Sequence, residues 1–219
     1  NVVVKGDTPI GGFDRGLVVR SLLNYSFTGC SVYGSTNVSD EGYAVDGAGV
    51  CVDIRFYDNY AYNVNVGMML PDYTEGIHFQ GYEFVNVNIG ILEYYVAGRS
   101  TLSADKCGSN AHKIGSGHIN AYTHTMFLNA SHFIKINGLL LLNNLQNNPA
   151  LSSGIWLANT NWPSIGDVMF YTPTTRPDNF FGIVLDGVTN GQFARNNFQS
   201  YPVGYHLIGA CQNNNISDS

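Results

Sequence analysis

The segment FYDNYAYNVNVGMML, Phe56 to Leu70, is written a second time as FQGYEFVNVNIGILE, Phe79 to Glu93. Superposed, Phe56 meets Phe79, Val64 meets Val87 and Gly67 meets Gly90, all at an offset of about 23 residues. A period of this length marks a stacked architecture, in which one unit cannot bury its own apolar face and needs its neighbours to do so. Further copies follow. Gly154-Ile155-Trp156-Leu157, Gly182-Ile183-Val184-Leu185 and Gly204-Tyr205-His206-Leu207 share a glycine, an apolar residue, a variable one and an apolar one, at offsets of about 28 and 22 residues. Thr125-Met126-Phe127-Leu128 fills the same slot about 29 residues before the first of these, without the glycine.

Each copy is a short alternating run rich in β-branched and aromatic residues, followed by a Gly/Asn turn and a further short run such as Phe133-Ile134-Lys135-Ile136 or Gly191-Gln192-Phe193. No segment sustains a helical period. Strands this short, repeating near 22 residues, suit one turn of a parallel β-helix, in which each strand pairs with its equivalent in the next turn and loops of variable length bulge outward. The expected fold is therefore all-β: a single-stranded parallel β-helix of about nine turns, with residues 1–219 forming one domain. Asparagine has a place in it. Asn63 and Asn65 are expected to lie under Asn86 and Asn88, where stacked amides bond one another and tolerate left-handed backbone at corners.

Composition narrows the function classes. Charged residues make up 12% of the chain, the net charge is -6 and there is no run of Lys or Arg, so a duplex or a membrane surface finds no electrostatic footprint. No apolar run, Gly138 to Leu142 among them, is long enough to span a bilayer. Cys30, Cys51, Cys107 and Cys211 show no CxxC pairing and no histidine at zinc-finger spacing, so no structural metal site is expected and buried free thiols are. Cys30 and Cys51 lie roughly one repeat apart, which leaves stacking on neighbouring turns open. No P-loop, dinucleotide fingerprint or Gly-x-Ser-x-Gly elbow occurs, and no cofactor is implied. Asn1 and the closing CQNNNISDS, written in the style of the interior, read as parts of a longer or processed chain, with more polypeptide or another subunit expected to cover the open ends of the rod.

The repeated Gly-Ile-x-Leu and Val-Asn-Val-Asn turns, the NGQFARNNF segment from Asn190 to Phe198 and the variable loops together resemble the right-handed parallel β-helix of the pectate-lyase-like superfamily. Among its members the tailspikes and capsule depolymerases of bacteriophages are nearest in style. The resemblance covers most of residues 45–219 and is one of rhythm, with no catalytic signature. It implies an elongated homotrimer on a virion tail, outside the cell, that binds and usually cleaves bacterial surface polysaccharide. The Asn-Thr-Asp and Asp-Asp motifs of polygalacturonases and the acidic calcium cluster of pectate lyases are missing.

Strand parity proposes the site residues. If Ile155 and Leu157 point inward, then Trp156 points outward, and with it Phe127, Val184 and His206; in the earlier pair Arg55 and His78 do. Aromatic faces on a stiff wall suit stacking against sugar rings, which makes Trp156 over Phe127 the most ligand-like feature, with Arg55, His206 and Asp53 as further substrate contacts. Loop or subunit cover over the same aromatics is the competing reading. Hydrolysis of a glycoside needs two carboxylates, roughly 5 Å apart for retention or about 6.5 to 9.5 Å for inversion. Asp186 is the acid best placed beside the aromatic column, with Asp167 and Asp178 flanking it in the long span between the copies at 154 and 182, and Glu83, Glu93 and Asp53 in the other half. A lyase instead needs a base and a cation beside a uronate carboxylate, for which His78 and Arg55, one repeat apart, are the candidates. His112, His118, His124 and His132, with Lys113 and Lys135, read as scattered surface residues. A non-catalytic receptor-binding module and a rigid spacer stay open beside the enzyme.

Overall fold

A computed structural model describes residues 3–5, 10–11, 15–34, 41–45, 51–71, 74–94, 113–138, 140–143, 153–172 and 180–217. Every regular element among them is a strand, and the strands pair in parallel. Nine strands form the first sheet, which runs from Val3–Lys5 through Ser26–Thr28, Arg55–Tyr57, His78–Gln80, Lys113–Ile114, Lys135–Asn137, Ser164–Gly166 and Gln192–Ala194 to Asn215–Ser217. Each is one rung further along the chain, so the fold is the expected all-β parallel β-helix. Register carries Phe27 onto Phe56, Phe79, Ile114, Ile136, Ile165 and Phe193 in turn.

The second sheet contributes two runs per rung and hence two further faces. Tyr60–Tyr62, Leu140–Asn143 and Met169–Tyr171 belong to the second face; Val66–Pro71, Ser153–Ala158, Phe181–Asp186 and Val203–Ile208 belong to the third. The 13-residue strands Tyr82–Tyr94 and Gly117–Asn129 pass through both without interruption. Their mutual register slips between Phe84 and Val87 and again between Val87 and Ile89, where the wall turns.

Inward residues stack into a continuous apolar core. Phe27, Phe56 and Phe79 lie with ring centroids 5.3 and 5.1 Å apart, near parallel, and Met126, Ile155 and Ile183 stack on the third face, all of them buried. The repeated glycine has a packing cause. At Gly154 an added Cβ would sit 2.5 Å from the Gly182 carbonyl oxygen and 2.5 Å from the Phe170 ring, and at Gly182 it would lie 2.2 Å from the ring of Phe198. Glycine there lets an aromatic from the second face lie flat against the third-face backbone. Thr125 replaces it in one rung, where its hydroxyl donates to the Gly154 carbonyl oxygen.

Corner residues carry the left-handed backbone, among them Asn63 and Asn86 at φ 58 and 56. Asn86 Nδ2 donates to Asn63 Oδ1 at 2.8 Å and Asn88 Nδ2 to Asn65 Oδ1 at 3.1 Å, the amide ladder that the repeat predicts. Buried Asn59 and Asn196 staple rungs from inside: the Cys30 amide donates to Asn59 Oδ1, and Asn196 Nδ2 donates to the Ile165 carbonyl. Cys30 and Cys51 are buried free thiols, and Cys211 is free. They do not stack on one another, because the Val52 amide bonds the Leu22 carbonyl and so sets Cys51 over a different position of the rung below. Cys107 lies outside the described residues.

Candidate functional site

The third face builds the aromatic column from its register. Phe127 pairs with Trp156, Trp156 with Val184 and Val184 with His206, on four successive rungs. Phe127 and Trp156 rings are 5.9 Å apart and half-buried. Val184 departs from expectation: it occupies the outward column yet is 0% exposed, because it is the small side chain between Trp156 and His206. Phe181 closes that end of the patch, its ring stacked on His206 at 4.2 Å and 11°.

Strand parity alone does not find His124. It precedes the packed position held by Thr125, and its ring lies 5.6 Å from Phe127 and 5.9 Å from Trp156, edge-on to the indole. His124 Nδ1 is 2.9 Å from Ser153 Oγ of the next rung. Burial drives its pKa down from the ordinary histidine value to about 4, so the ring is neutral at physiological pH. His132 is also buried, and its Nδ1 accepts the Asn161 amide at 3.1 Å. These two histidines are thus interior parts of the wall, contrary to their reading as surface residues. His112 lies outside the described residues.

Asp186 ends the strand that carries Val184, in register with Ala158 and Ile208. Its carboxylate lies over the left-handed turn at Gly209, where a Cβ would come within 2.8 Å of Oδ1. Asp167 is elsewhere. The span between the copies at 154 and 182 holds the strands Ser164–Gly166 and Met169–Tyr171, and Asp167 is the corner between them, not the wall of a long loop. Arg195 of the following rung donates to both its oxygens at 2.7 Å, and this bond holds the carboxyl below its usual pKa. Asp178 lies outside the described residues. Glu93 points inward, in register with Leu70 and Leu128, and is buried.

The remaining candidates occupy the other faces. Glu83 is on the second face, between Tyr60 and His118 of adjacent rungs, with His118 Nδ1 3.7 Å from Glu83 Oε1. Tyr33, Tyr60 and Tyr62 pave the neighbouring surface, and burial raises the Tyr60 pKa. Arg55 and His78 stand side by side on the first face, as the repeat predicts, with Arg55 bonded to Asp53 at 2.6 Å. The four catalytic candidates Asp186, Asp167, Glu83 and His78 are therefore distributed among separate faces and corners. Of the candidate substrate contacts, Trp156, Phe127 and His206 share the third face, whereas Arg55 and Asp53 do not join them.

A second aromatic pair lies outside the sequence reading. Phe133 and Trp162 are 46% and 56% exposed, with ring centroids 6.5 Å apart and planes parallel within 1°. Both have positive φ, in a turn column that Asn190 and Asn213 continue. Their spacing equals that of Phe127 and Trp156, which is the signal that could have found them.

Among the described residues no group of His, Cys, Asp and Glu is arranged to hold a metal ion, and no helix is long and apolar enough to cross a membrane. No family model matches this chain, and no curated protein matches it. Among solved structures it is similar to the A-module of the mannuronan C-5 epimerase AlgE6 from Azotobacter vinelandii, at 14% sequence identity and a TM-score of 0.73. The match covers 99% of this chain and 56% of that one, so the chain spans little more than half the length of its structural relative. At that identity the likeness is one of fold.

Proposed function

We propose that this protein is a polysaccharide-active β-helix that holds a glycan against the Phe127/Trp156 wall of its third face. One observation carries the reading: register sets Phe127 and Trp156 on adjacent rungs, with His206 on the same column two rungs beyond Trp156. Sugar rings present apolar C–H faces to aromatics and hydroxyl rims to flanking polar groups, and Ser153 and Asp186 border the patch. Likeness in fold to a protein named for its action on mannuronan supports a polysaccharide as the ligand.

The finer reading is a phage tailspike-like depolymerase that cleaves capsule or O-antigen by endo-glycosidic hydrolysis. Asp186 is its acid. Among the described residues the third-face strands next to it, Ser153–Ala158 and Val203–Ile208, carry no second carboxylate, and an acid from an adjoining subunit suits this reading of a homotrimer on a virion tail. A second reading, eliminative cleavage, is favoured by Glu83, His118 and Tyr60 standing on adjacent rungs of the second face. Both are tested on a panel of capsules and O-antigens by following binding, new reducing ends and ultraviolet absorbance of unsaturated products. Trp156→Ala is expected to weaken binding roughly tenfold or more, as loss of a buried aromatic anchor does. Asp186→Asn is expected to keep binding and remove reducing-end release. Parent-like binding by Trp156→Ala sinks the wall as the site, and unsaturated product that survives Asp186→Asn selects the second reading.

A further inference from the structure

The first face carries a feature that neither the aromatic wall nor the acids use. Its outward column reads Ser26, Arg55, His78, Lys113, Lys135, Ser164, Gln192 and Asn215 from rung to rung, each in register with the next. Four consecutive positions are cationic or able to become so. The chain has only ten Lys and Arg against sixteen Asp and Glu, yet three of those ten share this column. Like charges directly opposite one another on a sheet are destabilising, so packing alone does not favour the arrangement. Lys113 and Lys135 are exposed, and among the described residues neither has an ion-pair partner. The parallel column two residues on offers Tyr57, Gln80 and Asn137, a ring and two amides, with Gly115 leaving room between them.

From this we infer that the first face is a binding track for an anionic polysaccharide, distinct from the third-face wall. A polymer extended along the helix axis meets the ammonium groups of Lys113 and Lys135 on adjacent rungs about 4.8 Å apart, the spacing of paired strands, with His78 and the Asp53-paired Arg55 next along the column. Compact ammonium groups on flexible stems pair with carboxylates or sulfates without demanding one geometry. Gln80 and Asn137 serve the hydroxyl rims, and Tyr57 offers a ring beside them. The shared chemistry is a sugar chain that bears regularly spaced carboxylate or sulfate groups. This rests on the reading of the chain as polysaccharide-binding, but on residues that reading does not use.

The test uses the full chain in affinity electrophoresis and calorimetry, with sodium polygalacturonate, polymannuronate, dextran sulfate and neutral dextran as probes. The parent is expected to bind the charged polymers and not dextran, and to lose affinity as salt rises. Preference for the uronates or for dextran sulfate then names the acidic group. Lys113→Gln with Lys135→Gln is expected to bind roughly tenfold more weakly, a ratio worth about 1.4 kcal/mol. Lys113→Arg with Lys135→Arg is expected to bind as the parent does, which separates charge from shape. Both lysines are exposed, so an unchanged circular dichroism spectrum and melting temperature are expected of each variant. Trp156→Ala is the marker of the third-face reading and is scored in parallel on the capsule and O-antigen panel, so that the two surfaces are read separately. Equal binding of dextran and polygalacturonate by the parent, no loss in the double Gln variant, or tighter binding of single-stranded oligonucleotide than of any glycan overturns the inference. Loss of polyanion binding on Trp156→Ala, with the lysine variants unaffected, overturns the track while leaving the third-face site standing.

Discussion

Gly154→Ala is the substitution that most directly tests the packing behind the candidate site. The new methyl would meet two obstacles at 2.5 Å, the Gly182 carbonyl oxygen of the next rung and the Phe170 ring from the second face. Neither is the far end of a flexible chain: the oxygen belongs to the ladder backbone, and Phe170 is stacked on Phe198 at 4.8 Å and fully buried. Relief requires the strand Ser153–Ala158 to move off the core, carrying Trp156 with it. Overpacking of this kind costs about 1 to 3 kcal/mol. Alanine's backbone advantage over glycine within a regular element, roughly 0.5 to 1 kcal/mol, offsets part of it. A net loss of about 1 kcal/mol is expected. Gly166→Ala is the control, since its methyl would first meet the Ala194 carbonyl oxygen at 3.2 Å, a contact that yields by a few tenths of an ångström. Urea unfolding followed by tryptophan fluorescence measures both, with glycan affinity as a second readout for Gly154→Ala. If Gly154→Ala and Gly166→Ala unfold at the same urea concentration, the close approach of ring and backbone is not what fixes glycine in this column.

Acid is expected to destabilise the wall through His124. Its folded pKa lies below its unfolded one, so the unfolded chain holds the extra proton between them. Stability from this residue is complete above about pH 6.5 and falls as pH drops toward about 4, by up to roughly 3 kcal/mol. His124→Gln should flatten that part of the pH profile of unfolding, and an unchanged slope would show that the ring is not held neutral. Asp167→Asn is expected to leave both the melting temperature and any glycan turnover intact, because its bidentate pair with Arg195 is solvent-exposed and screened by salt. Loss of turnover in that variant would restore Asp167 as a catalytic group.

Much of the architecture was legible because a solenoid converts sequence offset into vertical contact. Once Phe56 is laid on Phe79, the same offset gives Arg55 over His78 and Asn63 under Asn86, the longer offset of the later copies gives Phe127 beside Trp156, and all of these pairs are in register or bonded as expected. Parity also gave the inward Ile155 and Leu157. What it could not give was which face each run occupies, because the number of residues spent at a corner differs from rung to rung. Asp167 and Asp186 are separated by the second-face strand Met169–Tyr171, and His78 and Glu83 by a corner. Nor does alternation survive the packed glycine column, so His124, one residue before Thr125, joins the aromatic wall against simple counting.

By itself the sequence determined the rung: its period, its apolar interior, its amide corners and the glycine that the third-face strands repeat wherever Thr125 does not stand in for it. Tertiary structure alone decided the company each outward side chain keeps. Burial of Val184 between Trp156 and His206, the tie between Asp167 and Arg195, and the basic column from Arg55 to Lys135 follow from how rungs of unequal length come into register. The physical reason is that hydrophobic burial and ladder hydrogen bonds act between neighbouring rungs and fix the repeat locally. The charge and shape of an outer face depend instead on residues that share no local pattern, and meet only when the helix is wound.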